Sequence, residues 1–72
     1  MDIFTQKRIL RFVEDYRKKA GQAPTLKDFE DAGFDRNLVE VGVKEEFLEQ
    51  FYVTLTNGTV VKTYKARDPD KR

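Results

Sequence analysis

Gln50-Phe-Tyr-Val-Thr-Leu-Thr-Asn-Gly-Thr-Val-Val-Lys-Thr-Tyr-Lys65 is the stretch that decides the fold. Two runs rich in β-branched and aromatic residues flank Asn57-Gly58, the strongest short-range signal for a hairpin. A two-residue loop there pairs Leu55 with Val60 and Phe51 with Tyr64 on the core face. Tyr52, Thr54, Val61 and Thr63 then face outward. Lys62 falls opposite Val53, its stem along apolar surface and its ammonium in water.

Working back from the hairpin, the apolar period changes from two to 3.6. Ile9, Phe12, Val13, Tyr16 and Ala20 fall on one side of a helix, with Leu10 at its edge. Lys7, Arg8, Arg11, Glu14, Asp15, Lys18 and Lys19 fall on the other. The spacing predicts a helix over 5–20, capped by Thr5 and stopped by Gly21. Pro24 cannot continue it. Thr25 and Asp28 form a capping box that opens a short second helix, with Leu26, Phe29 and Ala32 inward. Gly33 ends that helix and Phe34 returns to the core.

Residues 35–50 admit more than one reading. Asp35 or Asn37 can cap a third helix, with Val39, Val43 and Phe47 in line at i+4 spacing. Gly42 costs about 1 kcal/mol relative to Ala inside a helix, so a break near it or two short pieces are expected. A short extended segment is the other option. As a single helix, the stretch turns Asp35, Gly42, Glu45, Glu46 and Glu49 away from the apolar arc. The aromatics Phe4, Phe12, Tyr16, Phe29, Phe34, Phe47, Phe51 and Tyr64 are read as core. The whole is α+β, a winged helix-turn-helix of three helical segments and a C-terminal hairpin wing over 1–65, with 66–72 as a flexible tail.

Composition bounds the function. Seventy-two residues support one small core, and 14 Lys+Arg against 13 Asp+Glu leave a formal charge of +1. The absence of Cys and His excludes disulfide frameworks, imidazole catalysis and zinc-finger ligation. No apolar run approaches the roughly 20 residues of a membrane span. No nucleophile triad, phosphate-cradling glycine loop or metal motif is present, so neither enzyme chemistry nor a cofactor is expected. Charge is segregated, however: residues 5–20 and 51–72 are basic, whereas 25–50 are acidic.

Gly21-Gln-Ala-Pro24-Thr25 followed by Gly33-Phe34 resembles the N-terminal winged-helix domain of LexA-type repressors. That family opens its second helix with Gly-x-Pro-Pro-Thr and closes it with Gly-Phe. The segment from Thr25 to Gly33 is one residue shorter here, and no protease domain follows in this sequence. Pro24-Thr25-Leu-Lys-Asp28-Phe29 is also similar to homing-endonuclease-associated repeats. Both resemblances imply double-stranded DNA as partner and a small regulator of phage or mobile-element type, and the lack of a membrane span or signal peptide makes a cytoplasmic location the expectation.

On that reading Arg36 and Asn37 contact bases from the first turn of the third helix, with Lys44 further along it. Thr25 and Lys27 hold a phosphate at the second helix, while Asn57, Lys62, Lys65 and Arg67 serve the wing. A sequence-specific site would call for a homodimer. The competing reading is a protein-interaction module, an inhibitor or antirepressor, whose acidic third helix meets a basic protein through Glu45, Glu46 and Glu49, with outward-facing Tyr52 adding contact. Four carboxylates on a groove-facing helix would repel DNA, so the placement of residues 35–50 separates the two.

Overall fold

A computed structural model describes residues 1–67, which form α1 (Ile3–Ala20), α2 (Leu26–Asp31), α3 (Arg36–Lys44), β1 (Leu48–Thr54) and β2 (Val60–Ala66). The chain is therefore α+β: three helices followed by an antiparallel two-stranded hairpin. The remaining residues of the expected tail, 68–72, lie outside the described residues. Ala66 and Arg67 belong to the fold rather than to a tail. Ala66 pairs with Leu48, and the Arg67 N–H donates to the Phe47 carbonyl at 3.0 Å.

Each helix end has a local chemical cause. α1 starts two residues earlier than its periodicity suggests, because Asp2 and not Thr5 is the N-cap: its carboxylate accepts the Thr5 N–H at 2.7 Å. Gly21 closes the helix at φ 74°, donating to the Arg17 carbonyl. Before α2, Thr25 and Asp28 form the expected capping box: the Thr25 N–H donates to Asp28 Oδ2 at 2.8 Å and the Asp28 N–H to Thr25 Oγ1 at 3.3 Å. Burial works against the charged Asp28. The Thr25 N–H, the Tyr16 hydroxyl, the Thr25 hydroxyl and the Lys27 charge outweigh it, and hold the carboxyl below its ordinary pKa. A lowered folded-state pKa contributes stability that is present above the unfolded value and lost as pH falls through the folded one. Melting temperature should therefore drop on acidification below about pH 4, and Asp28→Asn should make that drop shallower in a thermal-melt pH series. An unchanged profile would remove Asp28 from the acid response.

The third helix corrects the sequence reading most. It is a single helix, capped by Asp35, whose carboxylate accepts the Asn37 and Leu38 N–H groups, and it ends at Lys44. The Glu46 N–H bonds the Val43 carbonyl and the Phe47 N–H bonds the Gly42 carbonyl, the double bond pattern of a Schellman stop. The left-handed position is taken by Glu46 at φ 67°, not by glycine, so the sequence carries no stop signal there. Gly42 lies on the buried side instead of opposite it. A Cβ at this position would sit 2.7 Å from Leu48 Cδ1, so the glycine sets the approach of α3 to the start of β1. A non-glycine residue in the left-handed region costs about 1–2 kcal/mol. Glu46→Gly should therefore stabilise the domain by about 0.5–1 kcal/mol in urea titration, glycine's larger unfolded-state entropy offsetting part of the relief.

The hairpin forms in a different register from the one its Asn-Gly suggests. The Gly58 N–H donates to the Leu55 carbonyl at 2.9 Å, the Leu55 N–H donates to Thr59 at 2.7 Å, and Gly58 lies at φ 87°. This is a three-residue loop with a glycine bulge, and Asn57 Oδ1 accepts the Thr59 N–H across it. Phe51 consequently pairs with Thr63 and Thr54 with Val60, and Lys62 faces Tyr52 rather than Val53. One extra loop residue turns every side chain of one strand over relative to the other. Leu48, Gln50, Tyr52 and Thr54 share a side with Val60, Lys62, Tyr64 and Ala66. Phe51, Val53 and Leu55 share the other with Val61, Thr63 and Lys65.

The core joins all five elements. Ile9, Val13, Phe29, Phe34, Val39, Phe47, Leu48 and Tyr64 are buried, and Phe12 is packed against them. Phe29 is central, with ring centroids 5.0 Å from Phe12, 6.1 Å from Phe34 and 5.6 Å from Tyr64. Three residues expected inside are not: Ala20 and Ala32 are exposed, and Phe4 is 76% exposed. Phe51 is half-buried on the hairpin side facing away from Tyr64. β2 is held on its outer edge by the turn before α2. The Tyr64 N–H donates to the Pro24 carbonyl at 2.9 Å, and Thr25 bridges Thr63.

Candidate nucleic-acid interface

The structure takes three of the expected acids off the third helix. Glu45 is the residue after its last turn, Glu46 lies in the left-handed stop, and Glu49 is in β1. Each has a cationic neighbour. Glu45 Oε2 is 3.1 Å from the Met1 ammonium, Glu46 Oε1 3.9 Å from Arg67, and Glu49 Oε2 3.5 Å from Lys65. The acidic recognition surface expected from a longer helix is thus not present on α3. Within Arg36–Lys44 the charged residues are Arg36, Glu40 and Lys44, all exposed beside Asn37. Glu40 meets Arg36 Nε at 3.5 Å, one turn away. Pairs this exposed contribute little to stability and exchange partners readily.

Tyr64 connects this helix to the hairpin. Burial raises its phenol pKa, the Glu40 carboxylate and Tyr52 add to the rise, and the Arg36 charge opposes it. Arg36 and Glu40 from α3 and Tyr52 from β1 are thus within electrostatic reach of one buried tyrosine. Tyr52 is 66% exposed, and Lys62 is its cross-strand neighbour on the same side. Tyr52 and Lys62 thus share the Tyr64 side of the hairpin, the side within electrostatic reach of Arg36 and Glu40, as one candidate surface. The slipped register creates it, because a two-residue loop would have put Tyr52 and Lys62 on opposite sides.

The other expected contact residues are distributed differently. Lys65 and Arg67 lie on the reverse side of the hairpin from Lys62, where Lys65 Nζ also sits 5.5 Å from the centre of the Phe51 ring. Thr25 has its hydroxyl within the capping box, and Asp28 occupies the helix end where a phosphate had been expected. Asn57 uses its carbonyl oxygen to hold the loop. Lys27 and Lys44 are exposed and, like Lys62, form no ion pair among the described residues. The basic side of α1 is solvated, with Lys18 drawn to Glu14 at 3.2 Å and Arg8 lying 5.4 Å from the Phe34 ring centre.

Sequence reasoning missed Glu40 as part of this surface, although the Arg36–Glu40 spacing of four was a usable signal. It had no signal for the shared side of Tyr52 and Lys62. Among the described residues no group of His, Cys, Asp or Glu side chains converges as a metal site, and no helix is long and apolar enough to cross a membrane. Compared with known proteins, the chain matches no family model, no curated protein and no solved structure.

Proposed function

We propose that the chain is a winged helix-turn-helix domain that binds double-stranded DNA as a small regulator or accessory factor. α3 is its reading helix and the Tyr52/Lys62 side of the hairpin its wing. The observation that carries this reading is the end of α3 at Lys44. Glu45, Glu46 and Glu49 are thereby removed from the helix, leaving Arg36, Asn37 and Lys44 exposed with one carboxylate among them. Asn and Arg are side chains that read adenine and guanine in the major groove. Lys27, Lys44 and Lys62 provide phosphate contacts. The Pro24–Thr25 contact along β2 supports the wing by fixing the hairpin to the turn that opens α2.

Binding of this kind is dominated by counterion release. With about three phosphate contacts, affinity for a random-sequence duplex should fall about 40-fold between 50 and 200 mM salt, in fluorescence anisotropy. No binding at 50 mM salt with tens of micromolar protein would reject the reading. Capture of a basic protein in its place would favour the interaction-module alternative.

A further inference from the structure

Among the described residues the outer edge of β1 is open, and its chemistry suits a second copy of itself. The hydrogen bonds at the two ends of the hairpin fix the phase of the ladder: Arg67 donates to Phe47 and Leu55 donates to Thr59. By the two-residue period, the residues between them that bond inward are Glu49, Phe51 and Val53. Gln50, Tyr52 and Thr54 therefore direct their N–H and C=O groups away from β2. The same phase turns the Tyr64 N–H outward on the far edge, where Pro24 accepts it. Among the described residues, one edge of the ribbon is thus covered by the chain itself and the other is not.

Open edges are normally blunted by Lys, Pro, bulges or covering loops. Gln50–Thr54 has none of the residues among these, and it is uncharged, strand-forming and free of glycine. Glu49 is the one charged residue of β1, and Lys65 of the same chain neutralises it.

We infer that two copies pair antiparallel along β1, with Tyr52 opposite the Tyr52 of the second copy, to form a continuous four-stranded sheet. In that register Gln50 faces Thr54 of the second copy, and each facing pair exchanges both of its hydrogen bonds. On one side Phe51 meets Val53 of the second copy, extending the row that Val61 and Thr63 begin. Val53, 36% exposed in the single chain, gains an apolar neighbour, while Leu55 lies opposite Glu49 of the second copy and diagonal to its Phe51. Charge selects this register. It keeps the two Glu49 carboxylates at opposite ends of the ladder, whereas slips toward the N-terminal end of β1 bring them together. A stable interface buries roughly 800 Å² per partner, and a five-residue edge supplies only part of that. The dimer should therefore dissociate in the micromolar range. The pairing does not depend on nucleic acid, so it stands or falls separately from the DNA reading.

Sedimentation equilibrium of the whole chain without DNA, from about 5 to 500 μM, should show conversion from monomer to dimer. Tyr52→Pro removes an outward N–H and leaves the β1–β2 ladder in place, so it should stay monomeric throughout with an unchanged far-ultraviolet spectrum. Val53→Lys, which spares the backbone, should weaken association at least tenfold. Spin labels at Val53→Cys should lie within about 15 Å of each other in the dimer, and labels at Asn57→Cys about 30 Å or more apart, from a 3.3 Å rise per residue. A monomer at every concentration, a dimer unaffected by both substitutions, or close labels at position 57 would overturn the inference.

Discussion

Phe29→Ala is expected to cost about 3–5 kcal/mol, the usual range for emptying a buried phenylalanine site. A domain of 72 residues has a total stability of about 4–11 kcal/mol, at 0.05–0.15 kcal/mol per residue. The substitution should therefore leave the domain barely folded, or unfolded, at room temperature. The site cannot collapse easily, because Phe29 has no exposed surface and is faced by rings from three directions. Phe12 belongs to α1, Phe34 follows α2 and Tyr64 belongs to β2, so one deletion loosens the helices and hairpin together. Circular dichroism in a urea series checks this. Phe4→Ala is the contrast: at 76% exposure it should change stability by less than about 0.5 kcal/mol. Equal losses from the two would mean that the core is not centred on Phe29.

The second large effect concerns DNA. Reversing Lys44 and Lys62 together, as Lys44→Glu/Lys62→Glu, should lower affinity for duplex DNA about 100-fold or more at 100 mM salt. Each lost phosphate contact should also flatten the log–log salt dependence by about 0.9. Lys65→Gln, on the reverse side of the hairpin, should change affinity less than about threefold. This contrast is sharp because sequence alone groups Lys62 and Lys65 as one basic wing, whereas the paired strands put them on opposite sides. Anisotropy titrations of the three proteins decide it. Losses of similar size from Lys65→Gln and the double reversal would show that the surface around Tyr64 is not the contact.

How far the sequence could be read depended on whether each feature leaves a local mark. The capping box at Thr25 and Asp28, the Gly21 and Gly33 stops and the apolar line of α1 are short-range signals, and they were legible. The end of α3 was not, because a Schellman stop with Glu46 in the left-handed position lacks the glycine that normally marks it. Gly42 misled for a related reason. Its small size matters for contact with Leu48, a residue six positions away, and reads locally only as a weak spot in a helix. The hairpin itself was clear from Asn57-Gly58, but these two residues fit a two-residue loop and a three-residue bulged loop alike. That ambiguity, of one residue, decides which cations accompany Tyr52. The candidate site was thus legible residue by residue in Arg36, Asn37, Lys44 and Lys62, and illegible as a surface.

In the proposed function, the exposed side of α3 and the Tyr52/Lys62 side of the ribbon act as one nucleic-acid contact. Amide chemical-shift mapping of the labelled chain, titrated with a duplex at low salt, tests it most directly. Shifts should concentrate at Arg36, Asn37, Glu40, Lys44, Tyr52 and Lys62, with Phe51, Val53 and Lys65 little changed. Shifts concentrated on the Phe51/Lys65 side or on the basic side of α1, or no shifts at all, would contradict the account.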